Sequence, residues 1–223
     1  KERVGRLLER ARAAEAAAEH DAVADAEGSA GGTPVPEGLR TTLRPYQLEG
    51  YRWLDFLRQA GLGGVLADDM GLGKTVQVLA VVQRLVEERE KVEGQVPTDV
   101  GTGEDSESTD SDELNEPDGI GPVLVIAPTS VVGSWVEQAE RFCPNLRVRA
   151  VTRTAAKREE TLERIAEGSD VVVTSYTIAR LCEEEFIAQD WAWVVCDEAQ
   201  FVKNRTSATY KAVRRLRAPS TIA

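Results

Sequence analysis

The chain has 223 residues, 42% of them apolar and 29% charged, which is typical of a soluble globular protein with a hydrophobic core. Its 27 Lys and Arg residues against 38 Asp and Glu residues give a net charge of −11, which over the whole chain argues against a nucleic-acid partner. The single histidine, His20, excludes a histidine-rich metal site and leaves little basis for Ser-His-Asp or Cys-His catalysis.

The cysteines and the longest uncharged run indicate the cellular compartment and whether a segment could span a membrane. Cys143, Cys182 and Cys196 are odd in number and show no CxxC spacing. We therefore expect buried free thiols in a reducing cytoplasm, associated with the nucleoid if the source is bacterial, and neither disulfides nor a zinc site. The longest uncharged run, residues 119–136, contains two prolines and three hydroxyl-bearing residues. It predicts a strand, a loop and a helix start, not a membrane-spanning helix.

Residues 1–38 are predicted to form an N-terminal segment outside the main domain. Residues 1–27 are rich in Ala, Glu and Arg and place apolar side chains at helical spacing, which predicts an amphipathic helix. Residues 28–38 contain four Gly and two Pro, which predicts a loop. Because the chain begins with Lys1 instead of Met, and its last residues look like the start of a strand, we expect a piece of a longer protein.

From residue 43 onward, predicted helices alternate with short apolar strands. A first helix spans 43–57, with Pro45 in its first turn. The predicted strands are 64–67, 123–127, 146–151, 170–174, 193–196 and 220–223, and the later helices are 74–91, 135–142, 155–166, 181–187 and 208–216. This alternation indicates an α/β fold, in which a doubly wound, mostly parallel sheet carries helices on both faces.

A glycine-rich loop lies where the first predicted strand turns into a helix. Residues 68–75 read Asp-Asp-Met-Gly-Leu-Gly-Lys-Thr, and Gly71 and Gly73 allow backbone N–H groups to approach an anion at a helix N-terminus. Lys74 would contact the β- and γ-phosphates of a nucleotide, and the Thr75 hydroxyl would bind Mg²⁺. The strict phosphate-loop pattern requires glycine where this loop begins with Asp, so a turn with a coincidental Lys-Thr pair remains the alternative.

An acidic pair follows another predicted strand. Residues 197–200 read Asp-Glu-Ala-Gln and come directly after the apolar run 193–196. The carboxylates would lie at the C-terminal edge of a parallel strand, where ligands of open α/β sheets bind. Asp197 could then hold the shell of Mg²⁺, and Glu198 could orient or deprotonate an attacking water. The alternative is an acidic pair that caps the next segment.

Several spaced motifs together resemble a known family. In order, and over about four-fifths of the chain from residue 43, they are similar to the first RecA-like lobe of superfamily-two helicase-type ATPases, specifically the Swi/Snf-type DNA translocases. Residues 43–54 resemble the adenine-reading segment, with Gln47 as the adenine contact. Residues 68–75 match the family's DDMGLGKT loop in every position. Residues 197–200 resemble its DEAH/DEAQ box, with Gln200 as in bacterial-looking members where many relatives have His, so this position cannot be charged.

The same resemblance implies contacts with the backbone of DNA. Residues 125–130, followed by Trp135, are similar to one DNA-contacting motif, and residues 174–176 are similar to the next. The residues implied as DNA contacts are Pro128, Thr129, Ser130, Thr174, Ser175 and Lys203. Two alternatives stay open: the hydroxyl side chains could cap helices after strands, and Trp135 could be a packing residue.

The resemblance implies a RecA-like P-loop lobe over residues 39–223, truncated before its last strands, in an ATP hydrolase that depends on DNA and moves along double-stranded DNA. The implied cofactors are ATP and Mg²⁺, with Thr75 and Asp197 at the metal, the latter through water. The implied catalytic residues are Lys74, Asp197, Glu198 and Gln200, and the implied nucleotide contacts are Gln47, Gly71, Leu72, Gly73, Lys74 and Thr75.

The family also implies a second RecA-like lobe with an arginine finger, which lies outside this chain. We therefore expect the chain alone to bind ATP weakly and hydrolyse it poorly. Two other functions remain open: a nucleotide-binding regulatory module without catalysis, and another superfamily-two motor, such as a restriction translocase or an unwinding helicase.

Residues 93–118 interrupt the alternation with ten acidic residues and no Lys or Arg. They cannot bury enough apolar surface to order themselves, which predicts a disordered loop inserted between a helix and a strand. Without their charge of −10 the rest of the chain carries −1, so the charge no longer argues against DNA. The insert is either a solvated loop or a set of carboxylates that compete with DNA phosphates. If the carboxylates compete with DNA, deletion of the insert should strengthen DNA binding at low salt. Unchanged affinity would indicate a solvated loop.

Overall fold

We describe a computed structural model of the chain over residues 33–68, 71–93 and 121–223. The predicted N-terminal helix and nearly all of the predicted acidic insert lie outside the described residues. None of the helices in the described ranges combines the length and the apolar content that a bilayer span requires.

Five parallel strands form one sheet in the order β2-β3-β1-β4-β5. The strands are β1 Val123–Ala127, β2 Val148–Val151, β3 Val171–Ser175, β4 Trp193–Cys196 and β5 Thr221–Ile222. The three central strands are buried along their whole length, since their apolar residues meet helices on both faces of the sheet. The structure thus confirms the predicted α/β fold with a parallel sheet.

Seven α-helices surround the sheet within the described residues. They are α1 Pro45–Gln59, α2 Lys74–Glu93, α3 Val132–Phe142, α4 Leu162–Glu167, α5 Tyr176–Leu181, α6 Glu183–Ala188 and α7 Ala208–Arg214. Side chains of β1 alternate between two hydrophobic cores. Val123 and Val125 pack with α1, α2 and α3, and Leu124 and Ile126 pack with α4, α5 and α6. The sheet is therefore covered on both faces, as the sequence predicts.

The first predicted strand, 64–67, differs from the prediction of a buried strand. It forms one isolated parallel bridge, Gly64 to Ile222, and its backbone continues this pairing from Leu66 N–H to Ala223 O at 2.8 Å. The segment lies beyond β5 at the edge of the sheet, and the Val65 side chain is 66% exposed. Among the described residues it has a partner strand on one side alone, so its apolar sequence does not become buried.

Two predicted helices differ from the structure. In place of one helix over 155–166, a 3₁₀ turn Ala155–Lys157 is followed by α4, whose N-terminus is capped by the Thr161 hydroxyl, which accepts a hydrogen bond from Arg164 N–H. The predicted helix 181–187 corresponds to α6, and the short helix α5 directly before it was not predicted. The sequence pattern therefore located helical turns and missed one cap and one short helix.

All three cysteines are buried free thiols, as predicted. Burial raises the pKa of the Cys143 thiol to about 12 and the pKa of the Cys196 thiol to about 12. Both thiols therefore stay protonated near neutral pH and behave as small apolar side chains.

A network of charged side chains joins α1 to α2. Asp55 on α1 is completely buried, and its carboxylate accepts hydrogen bonds from Arg58, Gln59 and Arg84 at 2.7 to 3.1 Å. Glu88 on α2 pairs with both arginines. The two helices that precede and follow the glycine-rich loop are therefore fixed to each other by charge as well as by apolar packing.

Candidate functional site

The predicted site segments all lie at one edge of the sheet. Because every strand is parallel, the carboxyl ends of the strands meet at the same edge. β4 leads directly into Asp197, β1 leads into residues 128–130, and the edge segment beyond β5 leads into the glycine-rich loop. Neighbouring strands are about 4.8 Å apart, so two strand spacings separate the loop from Asp197 across the edge, roughly 10 Å. The fold thus brings together residues that are far apart in the sequence.

Two glycines among the described residues of the glycine-rich loop adopt a conformation that suits an anion-binding turn. Gly71 has φ of 85° and Gly73 has φ of 82°, both in the left-handed region that favours glycine. A Cβ on Gly73 would lie 2.5 Å from Gln47 Nε2, so a side chain at this position would displace Gln47 as well as strain the backbone. α2 begins directly after it, at Lys74. A left-handed glycine turn at the N-terminus of a long helix, with a lysine in its first turn, fits a phosphate group.

Gln47 connects the start of α1 to this loop. Its Oε1 accepts a hydrogen bond from Arg44 N–H at 2.9 Å, and its Nε2 donates to the Leu72 carbonyl at 3.0 Å. The structure therefore places Gln47 beside the phosphate loop, with the oxygen and the nitrogen of its side-chain amide both hydrogen-bonded to backbone groups. Its role as the adenine contact stays a prediction.

Asp68, the departure from the strict phosphate-loop pattern, holds the loop in place. Its carbonyl oxygen accepts a hydrogen bond from Lys74 Nζ, and its carboxylate accepts one from Gln77 Nε2 at 3.3 Å. Gln77 is completely buried, and a Cβ on Gly50 would lie 1.9 Å from Gln77 Oε1. The sequence analysis missed this support. The signal in the sequence was Gly50 inside the predicted helix 43–57. A glycine inside a helix costs about 1 kcal/mol relative to Ala, which indicates that close packing requires it there.

The acidic pair lies directly after β4, as predicted. Asp197 is half-buried, and its backbone N–H donates to Ile126 O at 2.9 Å, which fixes it against β1. Glu198 has φ of 53° and ψ of 54°, a left-handed conformation that costs a non-glycine residue roughly 1 to 2 kcal/mol. Its carboxylate accepts a hydrogen bond from Gln200 Nε2. Three of the four predicted catalytic residues therefore lie together in one strained turn.

Two aromatic side chains donate hydrogen bonds to Asp197. Trp135 Nε1 donates to Oδ2 at 2.8 Å, and the Tyr176 hydroxyl donates to the main-chain oxygen at 2.8 Å. Burial, and then the nearby Cys196 and Asp197, raises the pKa of the Tyr176 phenol far above its usual value. The phenol therefore stays a neutral donor. The sequence analysis weighed Trp135 only as a packing residue or a DNA contact, and it placed Tyr176 in a DNA-contacting motif without giving this side chain a role of its own.

The residues predicted to contact DNA divide into exposed and buried groups. Thr129, Ser130 and Lys203 are exposed, and Pro128 is half-buried. The hydroxyl side chains of β3 are buried: Thr174 donates to Val151 O at 2.8 Å, and Ser175 caps α5 by accepting from Ile178 N–H. The capping alternative therefore describes Ser175. Neither buried hydroxyl is accessible to a ligand. Of the six residues predicted to contact DNA, the accessible ones are therefore Pro128, Thr129, Ser130 and Lys203.

The oxygen donors at this edge fit Mg²⁺. The Thr75 hydroxyl and the Asp197 carboxylate are hard oxygen ligands of the kind that this cation prefers. In the described ranges no three His, Cys, Asp or Glu side chains gather into a metal cage. A magnesium ion would therefore rest on few protein oxygens and take its other ligands from phosphate and water, which is its usual manner of binding beside a nucleotide.

Comparison with known proteins gives a consistent result. The profile of the SNF2-related domain matches residues 46–223. The chain is 34% identical over 183 residues to YwqA of Bacillus subtilis, whose name describes an ATP-dependent helicase/translocase, covering 82% of this chain and 17% of YwqA. It is 34% identical to the TATA-binding protein-associated factor mot1 of Schizosaccharomyces pombe, covering 82% of this chain and 8% of mot1. It is 32% identical to the chromatin-remodeling ATPase INO80 of Arabidopsis thaliana, covering 79% of this chain and 10% of INO80.

A solved structure has the same fold. The SWI2/SNF2 ATPase core of Sulfolobus solfataricus in complex with double-stranded DNA matches with a TM-score of 0.63 and 31% sequence identity. The match covers 84% of this chain and 32% of that chain. The chain therefore spans less than a fifth of the length of these curated relatives and about a third of the solved core.

Proposed function

Since the chain belongs to the family of SNF2-related domains, we propose that it is the ATP-binding lobe of a DNA-dependent ATPase that translocates on double-stranded DNA. In this proposal the lobe spans residues 39–223, and the energy of hydrolysis displaces DNA or a DNA-bound protein. A second RecA-like lobe of the full protein supplies the remaining groups, which agrees with the partial coverage of the solved SWI2/SNF2 core.

The observation that carries the proposal is the shared edge of the phosphate cradle and the acidic pair. In the proposed complex, Lys74 neutralises the β- and γ-phosphates, and backbone N–H groups of Gly71, Leu72 and Gly73 bind the same oxygens. Gln47 places the base. These groups lie at the carboxyl ends of the strands, which is where ligands of open α/β sheets bind.

The acidic pair would perform the hydrolytic chemistry. Thr75 and Asp197 would hold Mg²⁺, which neutralises charge on the phosphates when it is bound. Glu198 would orient the attacking water and accept its proton, and the hydrogen bond from Gln200 to the Glu198 carboxylate fixes the direction of that base. Water attack on the γ-phosphorus then gives ADP and inorganic phosphate.

The DNA partner is supported by an exposed surface beside the site. Thr129 and Ser130 are exposed after β1, next to Pro128, and Lys203 is exposed after the acidic pair. Hydroxyl, backbone N–H and ammonium donors of this kind bind phosphates of a nucleic-acid backbone without reading its sequence. The match to a solved relative bound to double-stranded DNA favours the same partner for this chain.

The test is ATP hydrolysis by the intact protein that carries this chain, with double-stranded DNA, with single-stranded DNA and without DNA. We expect double-stranded DNA to raise kcat, and the stimulation to decline as salt increases, because phosphate contacts release counterions. The absence of stimulation by double-stranded DNA would contradict the proposed translocase. Stronger stimulation by single-stranded DNA would favour an unwinding helicase, and nucleotide binding without hydrolysis would favour a regulatory module.

A further inference from the structure

Asp197 receives hydrogen bonds on both its side chain and its backbone from aromatic residues of other elements. Trp135 Nε1 binds the carboxylate and the Tyr176 hydroxyl binds the main-chain oxygen, each at 2.8 Å. Trp135 is 3% exposed and Tyr176 is 5% exposed, so bulk water competes little for either bond. The position of the carboxylate therefore depends on where these two side chains lie.

Both donors stand on helices that follow the segments predicted to contact DNA. Trp135 is in the first turn of α3, and the N-cap residue of this helix, Val131, donates its N–H to Pro128 O at 2.9 Å, which joins the start of α3 to the loop containing residues 128–130. Tyr176 is the first residue of α5, directly after the Ser175 cap. A movement of either segment would move a hydrogen-bond donor of Asp197.

Tyr176 also contacts the far end of the acidic turn. Its ring stacks on the ring of Phe201, with centroids 5.5 Å apart and planes 6° from parallel. Phe201 is 56% exposed, so one face of its ring is covered by Tyr176 while much of the side chain remains accessible. Tyr176 therefore holds both ends of the segment 197–201, which contains the predicted base.

We propose that Trp135 and Tyr176 are positioning residues that fix Asp197 for Mg²⁺ binding and thereby couple DNA contact to ATP hydrolysis. This inference rests on the proposed function of the site. Neither aromatic residue is assigned a contact with nucleotide; each acts through Asp197. Partners of metal ligands typically change metal affinity or activity by tenfold to a hundredfold when they are removed.

The experiment uses Trp135→Phe and Tyr176→Phe in the intact protein, because each change removes one donor and keeps a ring. The chain offers a matched control for each. Trp191→Phe removes an equally buried indole bond, to Phe186 O at 2.8 Å, and Tyr51→Phe removes a buried phenol bond, to Pro34 O at 2.7 Å. Two quantities are measured: the Mg²⁺ concentration that half-saturates binding of a fluorescent ATP analogue, and kcat and KM for ATP with and without double-stranded DNA.

We expect Trp135→Phe to raise the half-saturating Mg²⁺ concentration and to lower the DNA-stimulated kcat, each by about tenfold, with little change in KM. Tyr176→Phe should lower the ratio of DNA-stimulated to basal kcat, and both controls should keep the wild-type values. Equal effects in variants and controls, or wild-type values in Trp135→Phe and Tyr176→Phe, would overturn the inference. If DNA fails to stimulate the wild type, the proposed function fails, and the Mg²⁺ dependence of nucleotide binding still decides the positioning role.

Discussion

Glu198→Gln is expected to lower DNA-stimulated ATP hydrolysis by the intact protein by about 10² to 10⁴-fold, the usual contribution of a general base. The replacement keeps the size of the side chain and an oxygen that can accept the hydrogen bond from Gln200. It removes the negative charge of the carboxylate and with it the ability to accept a proton from water. Nucleotide binding should therefore remain close to that of the wild type.

A second variant separates chemistry from binding. Lys74→Ala removes the ammonium at the start of α2, so it should lower both nucleotide affinity and kcat, since this charge would neutralise the phosphates. Glu159→Gln is the matched control for Glu198→Gln, because Glu159 is an exposed carboxylate that takes no part in the proposed chemistry. Steady-state hydrolysis and binding of a fluorescent ATP analogue give the two quantities. Hydrolysis by Glu198→Gln at the rate of Glu159→Gln would exclude Glu198 as the base.

The second large effect concerns stability. Asp55→Ala is expected to lower the free energy of unfolding by about 1 to 3 kcal/mol, because the largely buried donors of Arg58 and Arg84 lose their buried acceptor and keep only the half-exposed Glu88. Asp55 is completely buried and accepts hydrogen bonds from both arginines. Urea unfolding of the chain, followed by circular dichroism, measures the loss. Asp55→Asn, which keeps an oxygen acceptor and removes the charge, should lose less.

The control for Asp55 is an exposed ion pair. Arg149 and Glu160 pair at 2.7 Å on the surface, and the arginine's hydrogen bond lowers the pKa of the Glu160 carboxyl. Surface pairs contribute little to stability, so Glu160→Ala should leave the unfolding curve nearly unchanged. If Asp55→Ala and Glu160→Ala shift the curve equally, the network between α1 and α2 is not a principal contribution to the stability of the fold.

Local patterns in the sequence predicted much of the fold. The predicted strands 123–127 and 193–196 coincide with β1 and β4, because short, continuous apolar runs rich in Val are typical of parallel strands buried on both faces. The predictions failed where burial or a cap depends on distant or subtle contacts. The segment 64–67 is apolar enough for a core strand and yet lies at an edge, and a single hydroxyl at Thr161 begins a new helix.

In the candidate site, too, the sequence predicted the local motifs and missed the contacts between distant elements. The glycine-rich loop and the acidic pair are short local motifs, so the sequence by itself determined which residues carry the phosphate and hydrolysis chemistry of the proposal. It could not determine what holds them. Trp135 and Asp197 are 62 positions apart, and the Tyr176 hydroxyl reaches Asp197 across 21 positions. Hydrogen bonds between elements so distant in the chain follow no local period, because they exist only after the strands have paired and the helices have packed. The tertiary structure alone decided that Asp197 is held by the two helices that follow the predicted DNA-contacting segments.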